Sequence, residues 1–157
     1  MPRGVRRFSL LSGVALCAIL GGPIAVAQAS DNSLKQTLNH YGPIIKREEA
    51  AVKSGLHGYP GSWQRLVRAL GHEVATLHAM KKKLAHESAS SAQGSKAKTD
   101  IIKGLGLIAS AYGRLRTDVS AAHGGSVPPA QVNAAVKTDD KGRKKFLAGL
   151  NLLGATP

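Results

Sequence analysis

Apolar side chains recur every three or four residues along most of this chain, the rhythm of a helix with one buried face, and no stretch alternates in the two-residue period of a half-buried strand. The first such face begins near Ser33, with Leu34, Leu38, Tyr41, Ile45 and Val52. Ser33 and Gln36 have the spacing of a capping box, in which the two side chains satisfy amides of the first turn. Gly42-Pro43 interrupts this helix, and an internal proline removes a hydrogen bond and crowds the preceding turn. The apolar face keeps its phase across the interruption, which predicts a bend rather than two helices.

Turn chemistry at residues 55–61, Gly-Leu-His-Gly-Tyr-Pro-Gly, precedes a second helix with Ser62 as its N-cap. Trp63, Leu66, Val67, Leu70, Val74, Leu77 and Leu84 set its face as far as Glu87. Small polar residues at 88–94 break the pattern. A third helix is expected over 96–122, on Ile101, Leu105, Ile108, Tyr112, Leu115 and Val119, stopping at Gly124-Gly125. Ser126 and Pro128-Pro129 open a fourth, because prolines cost little in a first turn whose amides have no intrahelical acceptor. Val132 and Val136 begin its face. Residues 137–145 then contain no apolar side chain and hold Gly142, before Phe146, Leu147, Leu150 and Leu153 resume, so this helix is expected to be frayed or split there. The fold class that follows is all-α, an antiparallel bundle of about four helices.

A short similarity recurs in Leu66-Val67-Arg68-Ala69-Leu70-Gly71, Ile101-Ile102-Lys103-Gly104-Leu105-Gly106 and Phe146-Leu147-Ala148-Gly149-Leu150-Asn151. It reads either as a duplicated helical hairpin or as close helix packing that repeatedly selects leucine beside a small residue, and the second is the simpler account.

The first thirty residues have a different character. Arg3, Arg6 and Arg7 precede an uncharged apolar stretch at 8–20, and Ala27-Gln28-Ala29 forms a small-x-small site ahead of Ser30. These are the three parts of a signal peptide in order, predicting cleavage after Ala29 and a single domain over 30–157 that is exported to a periplasm or secreted. An uncleaved anchor is the competing reading, weakened by Gly13, Gly21, Gly22 and Pro23. Arg6-Arg7 leaves the general and twin-arginine routes open. Cys17, the one cysteine, lies in the apolar stretch behind Leu16, not a small residue, which argues against lipidation. The exported part would have no disulfide, so its core must stabilise it alone.

Three of the 22 Lys and Arg lie in the leader, leaving 19 against nine Asp and Glu, a formal charge of +10. Such a surplus keeps a small domain soluble and steers it towards anionic partners, among them an envelope polymer or a membrane surface. A protein partner is also open. The densest runs are Lys81, Lys82 and Lys83, and Lys141, Arg143, Lys144 and Lys145, the candidate anion contacts. Consecutive residues fan round a helix, so neither run forms one groove-reading face. Tyr41, Trp63, Tyr112 and Phe146 fall on apolar faces, leaving Tyr59 as the aromatic ring free to touch a partner. So few rings argue against dedicated nucleic-acid binding.

Catalytic and cofactor chemistry finds little support. His72-Glu73 begins like a zinc-protease helix, but Thr76 stands where the second histidine must be, and His78 is about 120° further round. His40, His57, His72, His78, His86 and His123 include no pair at three or four residues. Glu49 with Lys53, Asp139 with Arg143 and Asp140 with Lys144 read as ion pairs on exposed helix faces. No catalytic, metal or cofactor residue is therefore assigned. The resulting expectation is an exported, non-enzymatic binding or structural protein, against the alternatives of a helical enzyme for an anionic substrate or a carrier of a ligand, haem or metal in the bundle interior.

Overall fold

The computed structural model describes residues 31–154, so the expected signal peptide and its expected cleavage site lie outside the described residues. Four helices follow in order: α1 (Asn32–His57), α2 (Trp63–His86), α3 (Ala92–Ala122) and α4 (Pro129–Leu152). Each packs on the next, antiparallel, around a shared apolar core. The all-α bundle expected from the periodicity is the fold. Among the described residues no helix is long and apolar enough to cross a membrane.

The inward positions keep alternating three- and four-residue steps, the spacing that holds a side-chain row against neighbouring helices. On α2 these are Leu66, Leu70, Glu73, Leu77, Met80 and Leu84; on α4 they are Val132, Ala135, Asp139, Gly142, Phe146 and Gly149. Glu73 and Met80 thus hold inward positions on α2, whereas Val74 is only half-buried. α1 runs unbroken through Pro43, with Gly42 buried and Pro43 exposed.

α4 is also unbroken, although its middle offers no apolar side chain. Gly142 explains why. A methyl group added there would lie 2.8 Å from Ile108 Cγ1 and 2.9 Å from the Gly104 carbonyl oxygen. One added at Gly104 would lie 2.6 Å from the Phe146 amide nitrogen, and one at Gly149 2.6 Å from Ile101 Cγ1. α3 and α4 therefore meet nearly backbone to backbone, and that contact replaces the side-chain burial the stretch lacks. Ala69, Gly104 and Gly149, the small residues of the recurring hexapeptide, are all buried. Their burial is what close helix packing requires of these positions.

The two ends are tied differently. The Ser33–Gln36 capping box does not form; Ser33 Oγ instead donates to the Ser88 carbonyl at 3.3 Å. The Asp31 carboxylate accepts from the Ser90 amide at 2.9 Å and from the Ser90 and Ser91 hydroxyls at 3.1 and 2.9 Å. Burial alone would raise the Asp31 pKa, but these donors outweigh it and hold it below the usual carboxylate range. Ser91 in turn accepts from the Gly94 amide at 2.8 Å, a cap that starts α3 at Ala92 rather than at residue 96. At the other end, the Tyr59 hydroxyl donates to the Gly125 carbonyl and Trp63 meets His123 edge-on at 5.4 Å. His123 and Gly124 turn the chain out of α3 with φ of 46° and 84°.

Candidate functional site

Charge is sorted between inside and outside to an unusual degree. Of the nine Asp and Glu, only Asp140 is exposed; Asp31, Glu49, Glu73, Asp100 and Asp139 are buried, and Glu48, Glu87 and Asp118 half-buried. From Lys35 onward, every Lys and Arg except Lys35, Lys98 and Arg143 is exposed. All six histidines are exposed too. The solvent-facing surface is thus more cationic than the sequence total implies.

The buried acids do two kinds of work. Asp31 sits at the start of α3, where a helix favours negative charge, and Asp100 is held by Lys96 at 2.8 Å and Lys145 at 3.5 Å. Glu49, Glu73 and Asp139 instead replace apolar side chains at inward positions on α1, α2 and α4. Together with Tyr112 of α3 and Arg143 of α4 they make one polar layer contributed by all four helices. Arg143 Nε donates to Asp139 Oδ2 at 2.7 Å, its Nη2 donates to the Tyr112 hydroxyl at 2.9 Å, and its Nη1 lies 3.9 Å from Glu49 Oε1.

One guanidinium thus faces three carboxyl groups, and the energetics follow. Glu73, 1% exposed, has its pKa pushed up to about 8, first by burial and then by the nearby charges of Glu49 and Glu48. At neutral pH it holds its proton. Burial likewise raises Asp139 despite Arg143, and raises the Tyr112 hydroxyl far above the ordinary phenol range. Glu73 Oε2 and Asp139 Oδ1 are buried with no hydrogen-bond partner among the described residues. Perturbed acids of this kind often mark catalytic sites, but chemistry also needs access for a substrate. Two shallow crevices lie elsewhere. One, of about 440 Å³, is lined by Gly113, Arg114, Thr117, Asp118, Gln131 and Ala134; the other, of about 320 Å³, by Ser33, Gln36, Thr37, His40, Tyr41, Lys83 and Glu87.

The candidate anion contacts divide. Lys81, Lys82, Lys83, Lys141, Lys144 and Lys145 are exposed, Lys83 pairing with Glu87 at 3.0 Å and Lys145 with Asp100. Arg143 is not a surface cation: its side chain is 13% exposed and occupied by the polar layer. The expectation that Asp139–Arg143 decorates an outer face is therefore corrected, as is an exposed role for Glu49. The error has a clear source, because a carboxylate and an arginine four residues apart have the same spacing on either face of a helix. Tyr59 is half-buried, packs against the core and donates its hydroxyl to the Gly125 carbonyl, so its ring is held in place. Tyr41 and Trp63 are likewise only half-buried.

Among the described residues no group of three or more His, Cys, Asp or Glu is arranged to hold a metal ion. Comparison with protein-family models, with curated proteins and with solved structures finds no match.

Proposed function

We propose that this chain is an exported, non-enzymatic binding protein of the cell envelope or extracellular space, held to an anionic partner by its exposed lysines and arginines. The sorting of charge supports this reading: eight of the nine acids are withdrawn from full exposure, while nearly every cation stays in water. If the surplus served only solubility, exposed acids could accompany the cations, since a surface of mixed sign with modest net charge is soluble. Apart from Arg47, Lys83, Lys96 and Lys145, which pair with Glu48, Glu87 and Asp100, the exposed cations form no ion pair with an acid among the described residues, and their attraction for anions is preserved.

The test is binding of purified protein, residues 30–157, to a carboxylated or phosphorylated polymer and to a neutral polymer across a salt series. The anionic polymer should bind with affinity falling steeply as salt rises, and the neutral one should not bind. Replacing Lys81 and Lys82, or Lys141 and Lys144, by glutamine should weaken binding while leaving the melting transition in place. Tight, salt-insensitive binding to a neutral ligand would overturn the reading.

A further inference from the structure

The exposed cations do not gather into a groove. They go round the bundle, with Lys46 on α1, Arg68 and Lys82 on α2, Lys103 on α3, and Lys141 and Lys144 on α4 all exposed. Only Asp140 interrupts this girdle with an exposed negative charge. Each helix with its side chains is about 10 Å across, so the bundle is about 20 Å thick. In physiological salt, charge is screened over about 8 Å. A flat anionic surface would therefore engage the cations of one side and leave those of the far side in solvent.

The apolar side chains point the same way. No Leu, Ile, Val, Met, Phe, Tyr or Trp among the described residues is exposed, so the bundle presents no large apolar group to enter a bilayer. A chain that can bend round the circumference meets neither limit. Resting on the anion-binding reading above, we infer that the partner is a flexible linear polyanion that wraps the bundle and contacts all four helices, rather than a planar membrane that contacts one side.

Long-chain inorganic polyphosphate and phosphatidylglycerol vesicles serve as probes of the two geometries. The slope of log affinity against log salt counts the cations engaged. Wrapping predicts a slope for polyphosphate at least about twice that for vesicles. Replacing Lys137, Lys141 and Lys144 by glutamine should lower the polyphosphate slope by about two, as should replacing Arg65, Arg68 and Lys82, with the two losses adding. All six residues are exposed, and thermal melts verify that each variant is folded. Equal slopes for the two probes, or loss of polyphosphate binding from one set and no effect from the other, would overturn wrapping while leaving anion binding intact. Failure of the unaltered protein to bind either probe would overturn both.

Discussion

The polar layer divides the core into two unequal parts, and their contrast shows where this bundle gets its stability. On one side lie the residues before Glu49 on α1, after Glu73 on α2, before Tyr112 on α3 and after Arg143 on α4. Leu34, Leu38, Ile45, Leu77, Met80, Leu84, Ala97, Ile101, Leu105, Ile108, Ala111, Phe146 and Leu150 are there, none more than 1% exposed, with Ala109 at 3% and Leu153, just beyond α4, at 5%. The other side holds Val52, Leu66, Ala69, Leu70, Val119, Val127, Val132 and Ala135, smaller on average, and all but the two leucines are 3 to 6% exposed. Half-buried Tyr59 and Trp63 close that end. Burial scales with apolar area, so the first part dominates stability and the second is the part that opens most readily.

Severing the boundary should have an effect as large as excavating the strong side. Arg143→Ala removes the guanidinium that pairs with the buried Asp139 and lies beside Glu49, and should cost about 3 to 5 kcal/mol at neutral pH, in urea denaturation, while scarcely changing polyanion binding. Phe146→Ala should cost about 3 to 5 kcal/mol by the same measurement. A loss of binding without a loss of stability in Arg143→Ala would return that residue to the surface.

Glu73 gives the next largest effect, and its sign is fixed by the direction of its shift. Its pKa rises from 4.5 in the unfolded chain to about 8 in the fold, so the folded state holds the proton more tightly. The associated stability is complete below about pH 4.5 and is lost progressively as pH rises to about 8, by up to about 5 kcal/mol. Glu73→Gln cannot titrate, so the difference between its unfolding free energy and that of the unaltered protein should change across this window and become constant above it. Parallel profiles from pH 5 to 9 would show that Glu73 does not carry the proton. Asp31, Glu87 and Asp100 act oppositely: their lowered pKa values give stability that is present above the unfolded pKa and lost in acid. The smallest effect belongs to the weak side, where Val132→Ala should cost about 1 to 2 kcal/mol. A cost equal to that of Phe146→Ala would erase the contrast.

The helices were legible because large apolar residues mark a face whatever surrounds them. The polar layer was not, since hydropathy follows Val74 where the packing follows Glu73, one residue away. Strict three-four stepping from Leu66 through Leu70 to Leu77 passes through Glu73, and from Val132 and Ala135 to Phe146 it passes through Asp139 and Gly142. That spacing was the available signal. Gly142 misled in a second way: as a weak helix former in a polar stretch it resembles a break, and only its partner Gly104 on another helix reveals a contact. The basic runs were legible as composition, but Arg143 and Lys144, adjacent in sequence, face opposite environments.

The withdrawal of the acids also gives the folded protein a distinctive chemical fingerprint. Reagents that acylate amines should find targets on every helix of the native chain, from Lys46 to Lys144. A carbodiimide with a small amine, which tags carboxyl groups it can reach, should mark Asp140 first and spare Glu73 and Asp139 until the bundle opens. Mass spectrometry of the tagged chain would then record unfolding as the delayed appearance of carboxyl groups that the native surface conceals.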